Sequence, residues 1–518
     1  MSNSIKSFLK KNKKIIFCKH KSKKVLIADR GRYDSVVRSS LIAKIFNHYY
    51  DLDPVVLLNS PYSKSVQDLY KSFGIDDFTI PSAKLFLIKN IFKIPYYILI
   101  FFFNLIKFYF LGIEKFIKEF KILNINAGDL IYDSYLRYNQ SYLKPSIFTF
   151  KFIKIIFLSY IKFFIVNNIY KSNKINATIV STDSYIGNGS LALRISLKLK
   201  IPCIYFSGNK IKIYNDYKSQ YNEHFWKTNS KNVLNFNINK SCEKEFNFYL
   251  KNRFFGNQND KDVINAYKNK SILKKNEFCD LFKFESSYKK IILFAPHAFS
   301  DSCYASGKFI FRDYYQFFVE TIDLIKNIKD ILWIVKPHPT RFDYGEGNII
   351  KNYLRNNPND NIRLCPDNLS TLNFIYYADS VLTGRGTIGL EFACNGKKPI
   401  VVFDNYYGDF GFTINIRNKK EFINKLKNIS SINFVLDSYQ INLAKNVFYY
   451  ILYERVHNIY KSIIPNELNV TSSKKYDYFS IFNKNLINKK DITEDSFYIN
   501  TYKYIKKNLS MKSYVKNK

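Results

Sequence analysis

The alternation of apolar runs and polar, glycine-bearing turns along the chain predicts two separate series of β-loop-α units. The first opens with KKVLIADRGRYDSVVRSSLIAKIFNHYY, where an apolar run from Val25 to Ala28 meets a polar turn, Asp29 to Arg32, and then a helical pattern. INATIVSTDSYIGNGSLALRISLKLKIPCIYFSG repeats the theme as a strand over 177–181, a loop over 182–190, a helix over 190–199 and a strand over 201–206. PVVLLN (54–59) and DLIYDSYL (129–136) read as further strands or strand ends. The second series starts with KKIILFAPHAFSD (289–301), a strand and loop, then a helix over 312–328 and the strand and loop DILWIVKPHPT. It continues with a short strand over 361–366, a helix over 370–379, a strand-turn-helix-strand over 380–403 and a helix over 419–429. Alternation of this length implies parallel sheets covered on both faces, with ligands at the carboxyl ends of the strands.

Two apolar stretches interrupt the first series, at 85–113 and 145–167. The longest charge-free part of the first, Ile94 to Ile106, falls short of the ~20 residues that cross a bilayer. Lysines recur through both: Lys84, Lys89, Lys93 and Lys107, then Lys151, Lys154 and Lys162. Two readings fit this pattern, helices lying in a membrane interface with Lys reaching the headgroups, and buried helices with lysines at their rims. The expected organisation is a basic leader (1–23), an N-terminal domain (24–208) and a polar connection with some helix (209–287). A second domain (288–436), a helix packing back toward the N-terminal domain (437–471) and a basic, solvated, partly helical tail (472–518) complete it.

Composition changes this picture little. The 518 residues, 47% of them hydrophobic, suffice for two or three packed domains, and 80 Lys and Arg against 42 Asp and Glu give +38. That balance favours phosphate-bearing partners, nucleic acid or an anionic membrane, but the lysines are spread throughout and no nucleic-acid motif occurs. A specific nucleic-acid partner is therefore not expected. The seven cysteines lie far apart, without C-x-x-C or zinc spacing, and read as reduced thiols. The basic N-terminus lacks the core and cleavage site of a secretory signal, so an intracellular location is expected.

Candidate chemistry gathers at three turns of the second series. In DSVLTGRGTIGLEFACNGKKP, Gly384, Gly386 and Gly389 bracket a strand-to-helix turn that lets a backbone approach closely. Thr387 and the helix start offer donors to an anion, Arg385 adds a cation, and Glu391 is placed to receive a ribose or sugar hydroxyl. On that reading Glu391→Gln weakens nucleotide binding more than stability. In KPHP, prolines 337 and 339 restrict the backbone around His338, so Lys336 and His338 read as a prepositioned phosphate clamp. His297 follows the preceding strand in FAPHAFSD.

APHAFSD, WIVKPHP and ADSVLTGRGTIGLEFACNGKKPIV together resemble the nucleotide-sugar domain of GT-B glycosyltransferases that build bacterial capsule and other surface polysaccharides, including Kdo-transferase-like families. The similarity covers about 289–450; GDLIYDSYLR (128–137) is a further fragment. It implies an α/β, GT-B-like fold of two Rossmann-like domains facing a cleft, with helices added to the N-terminal one. It also implies that His297, Lys336, His338, Thr387 and Glu391, with the glycine turn, contact the donor nucleotide, CMP-sugars such as CMP-Kdo being favoured. The acceptor, a surface glycan or glycolipid, would lie on the N-terminal domain. No D-x-D motif stands at a convincing strand end, so neither metal nor other cofactor is expected. Asp29, Asp133 and Asp183 are candidate catalytic bases if the reaction inverts, since each follows or lies within a strand of the acceptor domain, and His338 is a further catalytic candidate through the phosphate. The acceptor class places the enzyme in the cytoplasm, peripherally at the inner face of the cytoplasmic membrane, with the anionic membrane surface as an expected partner. A teichoic-acid-type polyol-phosphate transferase with a CDP-linked donor is the alternative, and a basic nucleic-acid-binding protein a distant one.

Overall fold

The computed structural model describes residues 23–28, 31–58, 64–81, 92, 94–139, 145–146, 149–207, 210–216, 240–258, 260–304, 307–402, 404–454 and 495–509. The leader over 1–22, Asp29, Lys84, Lys89 and Lys93 lie outside them, as does most of the tail. The chain divides into two compact units, Met1–Ser134 with Ser146–Phe225 and Tyr453–Lys518, and Tyr135–Pro145 with Trp226–Leu452.

The first unit holds β1 (Lys24–Ala28), β2 (Asp53–Leu57), β3 (Phe78–Thr79), the hairpin β4 (Lys121–Ile122) and β5 (Ile125–Asn126), β6 (Ile175–Val180), β7 (Cys203–Ser207) and β8 (Lys210–Tyr214). Its six-stranded sheet has the order β3-β2-β1-β6-β7-β8, parallel except for the antiparallel edge strand β8. Strand order reverses between β1 and β6. Both strands are almost wholly buried, which explains their largely apolar sequences. Helices Ile94–Leu111, Ile113–Glu119 and Phe150–Ser172 are inserted between β3 and β6.

DLIYDSYL, read from sequence as a strand, lies in a helix, Gly128–Asn139. Residues 130–136 are all buried, so neither a two-residue nor a 3.6-residue period marks the segment. The Ser134 hydroxyl donates to the Leu130 carbonyl one turn back (2.7 Å). Part of the supposedly solvated tail also folds: helix Ser496–Asn508 places Phe497, Tyr498 and Ile505 in the core of the first unit, and Tyr502 stacks on Tyr49 at 3.8 Å. Its apolar residues recur at helical spacing among lysines and asparagines, an amphipathic stripe that bulk composition hides.

The second unit holds β9 (Lys290–Ala295), β10 (Ile331–Val335), β11 (Ile362–Leu364), β12 (Ser380–Thr383), β13 (Ile400–Val402) and β14 (Ile414–Ile416). They form one all-parallel sheet ordered β11-β10-β9-β12-β13-β14. Strand order reverses between β9 and β12. Every residue of β10, Trp333 included, is buried. Helix Tyr314–Ile325 shows why sequence becomes element here. Asp313 caps its first turn by accepting from the Gln316 N–H (2.7 Å), and Tyr314, Phe317, Phe318, Thr321, Ile322 and Ile325 form one buried face.

Residues read as a polar connection form helices Lys240–Phe254, Lys261–Tyr267 and Lys275–Phe282. Val263, Ala266, Tyr267, Phe278 and Phe282 join Leu293, Ile334 and Phe392 in one buried core. Helix Ser438–Tyr449 sets Phe448 against Phe246 of this unit, ring centroids 5.6 Å apart. Two Rossmann-like α/β units, the first carrying inserted helices, agree with the GT-B-like class that the resemblance implied.

Candidate functional site

Ligands of doubly wound sheets sit where strand order reverses, at the carboxyl ends of the flanking strands. In the second unit that point lies between β9 and β12. β9 leads into Pro296 and His297, the adjacent β10 into Lys336–Pro339, and β12 into Gly384–Thr387. The three turns converge on one cavity of about 200 Å³ lined by His297, Lys336, His338, Arg385, Gly386, Thr387 and Glu391. Arg253, Asp262, Tyr267, Asp301, Tyr344, Thr371 and Thr383 add to its polar lining, the first three from the helices over 240–267. Gly384 and Gly389 shape the turn from outside the lining. A Cβ on Gly389 would stand 2.2 Å from the Tyr407 hydroxyl, which donates to the Gly386 carbonyl (2.6 Å), so close approach accounts for this glycine.

His338 has a defined orientation. Thr340 Oγ1 donates to Asp262 Oδ1 at 2.6 Å and lies 3.1 Å from His338 Nδ1. With the hydroxyl proton committed to Asp262, its oxygen accepts from Nδ1–H, and Nε2 is the ring nitrogen left for the cavity. A competing contact, Thr340 N–H to the same Nδ1, is longer at 3.4 Å and needs the other tautomer. The short pair decides in favour of Nδ1–H. Asn265 holds the loop by donating to the Pro339 carbonyl (3.3 Å).

His297 stacks between Tyr314 (centroids 4.4 Å apart) and His338 (5.6 Å). Its buried Nδ1 has no hydrogen-bond partner, and Asp301 Oδ2 stands 3.6 Å away, beyond hydrogen-bond range. Burial first, then the Arg385 guanidinium, lowers the His297 pKa to about 4; burial first, then His297, does the same to His338. Both rings are uncharged at neutral pH. They face a ligand as neutral donors and acceptors, and the positive charge at the cavity comes from Lys336, Arg385 and Arg253.

Those cations are held differently. Arg385 donates its terminal nitrogens to the Cys303 and Lys308 carbonyls, which leaves Nε buried without a partner. Lys336 Nζ donates to the Leu369 carbonyl (3.3 Å) and sits 5.7 Å over the Phe374 ring. It also lines a second, wider recess of about 320 Å³ beside Lys268, Lys270 and Arg341. Glu391, expected to receive a sugar hydroxyl, is 2% exposed and has both oxygens engaged. Arg253 Nε donates to Oε1 at 2.6 Å, and the Tyr267 hydroxyl donates to Oε2. Thr387 Oγ1 lies 3.3 Å from the Tyr406 hydroxyl.

Of the candidate bases, Asp29 lies outside the described residues. Asp133 is buried in helix Gly128–Asn139, and Asp183 follows β6 and accepts from the Tyr205 hydroxyl (3.3 Å). Both belong to the first unit; the cavity belongs to the second. Among the described residues no group of three or more His, Cys, Asp or Glu side chains could hold a metal ion. Sequence reading missed Arg253, Asp262 and Tyr267, which sit in Lys/Asn-rich helices without a motif. The one available signal was their helical periodicity, with Val263, Ala266 and Tyr267 turned to one side.

A neighbouring carboxyl gives the unit a pH signature. Glu346 is 4% exposed, and burial pushes its pKa from 4.5 up to about 8 although it accepts the Ser300 N–H (3.2 Å). Between those values the folded state holds a proton that the unfolded chain has released, so stability falls as pH rises. The two histidines act oppositely: between about 4 and 6.5 the unfolded chain holds the extra protons, and stability rises with pH. Each unmatched proton contributes about 1.4 kcal/mol per pH unit. Urea titrations should therefore lose stability from pH 6.5 toward 8, and Glu346→Gln should flatten that limb. An unchanged limb in the variant assigns the effect elsewhere.

No protein-family model and no curated protein sequence matches the chain. Among solved structures it is similar to KpsC, a β-Kdo 2,4 transferase of Thermosulfurimonas dismutans, at 12% identity over 53% of this chain and 79% of that one, TM-score 0.33. It is similar to a UDP-GlcNAc 2-epimerase of Methanocaldococcus jannaschii at 13% identity over 83% and 99%, TM-score 0.27. A third is the wall teichoic acid polymerase TagF, at 9% identity over 94% of each chain, TM-score 0.24. Likenesses at this level assign no activity.

Proposed function

We propose that the protein is a glycosyltransferase that takes a nucleotide-linked sugar in the cavity of the second unit and passes the sugar to a surface glycan or glycolipid. The observation that carries this reading is the convergence of an oriented His338, His297, Lys336 and Arg385 on the strand-order reversal of an all-parallel sheet. In such a transfer an acceptor hydroxyl attacks the anomeric carbon and gives up its proton to solvent, the bond from that carbon to the phosphate oxygen breaks, and the electron pair stays on the departing nucleotide. The growing charge on phosphate needs fixed cations and donors more than covalent help. Lys336 and Arg385 supply charge. His338, neutral in the free protein, takes up a proton as phosphate binds, because an adjacent anion favours the imidazolium; Nε2–H then donates to the phosphate while Nδ1–H stays on Thr340. The motif resemblance favours a CMP-sugar such as CMP-Kdo.

A thermal-shift panel of CMP, CDP, UDP, GDP and dTDP tests the reading. A cytidine nucleotide is expected to raise the melting temperature, in proportion to RT ln(1 + [L]/Kd), or about 2.7 kcal/mol at a hundredfold excess over Kd. Absence of a shift with all five would overturn nucleotide binding. Product analysis then separates a glycosidic bond from the phosphodiester that a CDP-linked polyol-phosphate donor would give.

A further inference from the structure

Helix Ile94–Leu111 of the first unit has one face fastened down and one bare. Phe101, Leu105 and Phe108 are buried: Phe101 meets Tyr160 edge-on at 5.9 Å, and Phe108 meets Phe116 at 5.5 Å and Phe120 at 5.6 Å. Asn104 donates to the Tyr160 hydroxyl (2.9 Å), which ties this helix to Phe150–Ser172. On the other side Tyr96, Leu99, Phe103, Ile106 and Phe110 follow one another at i, i+3, i+7, i+10 and i+14, a single helical face. They are 58–80% exposed in company with Tyr109: Leu99 69%, Phe103 68%, Ile106 60%, Tyr109 58% and Phe110 80%. A run of large apolar side chains on one exposed face marks an interaction surface.

We infer that this face docks in the outer layer of an anionic lipid membrane, with the helix axis in the membrane plane. Charge decides the partner. Neither helix Ile94–Leu111 nor helix Phe150–Ser172 contains an acidic residue, and Lys107, Lys151 and Lys154 are exposed on them. A second copy would bring like charges together around the apolar face, whereas anionic headgroups complement them. Length alone would let the 18-residue helix cross a bilayer, and only 17% of it is buried. The fastened face argues against that, because Phe101, Leu105 and Phe108 would have to leave the packed unit before lipid could surround the helix. An aromatic face with a cationic margin is the composition of a helix that lies in the interface. The inference stands apart from the reaction proposed above, since it uses only the first unit.

The test is flotation of the full chain with phosphatidylcholine vesicles made with and without phosphatidylglycerol. Wild type should float with the anionic vesicles and be released by high salt. Phe103→Asp with Phe110→Asp should lower the bound-to-free ratio at least about tenfold, with the melting temperature unchanged because both side chains are exposed. Phe248→Asp, equally exposed but in the second unit, should bind as wild type. Lys107→Ala with Lys151→Ala and Lys154→Ala should weaken only the anionic-vesicle binding. The inference is overturned if wild type ignores anionic vesicles at low salt, or if the Phe103 and Phe110 pair binds unchanged. Self-association abolished by that same pair without lipid would assign the face to a second copy, and release by detergent alone would make the helix a span; either result also overturns it.

Discussion

His338→Ala is expected to lower transfer by about 10²–10³-fold, the usual loss for one preorganised donor at a site of developing charge. The ring is held before any ligand arrives, with Nδ1 anchored through Thr340 Oγ1 to Asp262 across contacts of 3.1 and 2.6 Å. Removing the ring removes both the Nε2 contact and the proton that phosphate draws onto it, while the sheet beneath keeps its packing through β10. Thr340→Val should cost part of the same factor, because it frees the ring without deleting it. Steady-state turnover beside a thermal melt of each variant separates this from unfolding. Wild-type turnover in His338→Ala contradicts the clamp.

The largest stability effect is expected at Arg253. Its guanidinium and the Glu391 carboxylate are 11% and 3% exposed and meet at 2.6 Å, so removing one leaves the other charged in a desolvated place. Breaking such a pair costs about 3–5 kcal/mol. Arg253→Met should show that loss as a lower urea midpoint at constant slope. Arg253→Met with Glu391→Gln removes both charges and should recover most of it, since the exchanged pair no longer strands an ion. Sequence reasoning put the effect of Glu391→Gln on nucleotide binding ahead of stability. The two engaged oxygens reverse that order. Equal stability of Arg253→Met and wild type would remove the pair from the account.

Legibility followed burial pattern and local chemistry. β9, β10 and β12 were readable because short apolar runs ended in turns carrying His297, His338 and the glycines, and a parallel sheet puts such turns at one edge. Helix Gly128–Asn139 was not, because burial on every side erases the period that separates helix from strand. Arg253, Asp262 and Tyr267 were hidden for another reason: each acts through a partner far along the chain, Glu391 for the first and last and Thr340 for Asp262. The charge states of His297 and His338 also needed the fold, since burial sets them. The bare face of helix Ile94–Leu111 was half legible. Its composition was plain, but only packing distinguishes the side that Phe101 and Leu105 bury from the side that Phe103 and Phe110 leave open.

The central claim is that the cavity of the second unit binds the phosphate of a nucleotide-linked donor, and a structure of the full chain soaked with the nucleotide selected by the thermal panel tests it most directly. The account predicts phosphate oxygens within hydrogen-bond distance of His338 Nε2, with Arg385 or Lys336 close by, between the turns that follow β9, β10 and β12. A nucleotide seated elsewhere, with His338 untouched, would contradict it.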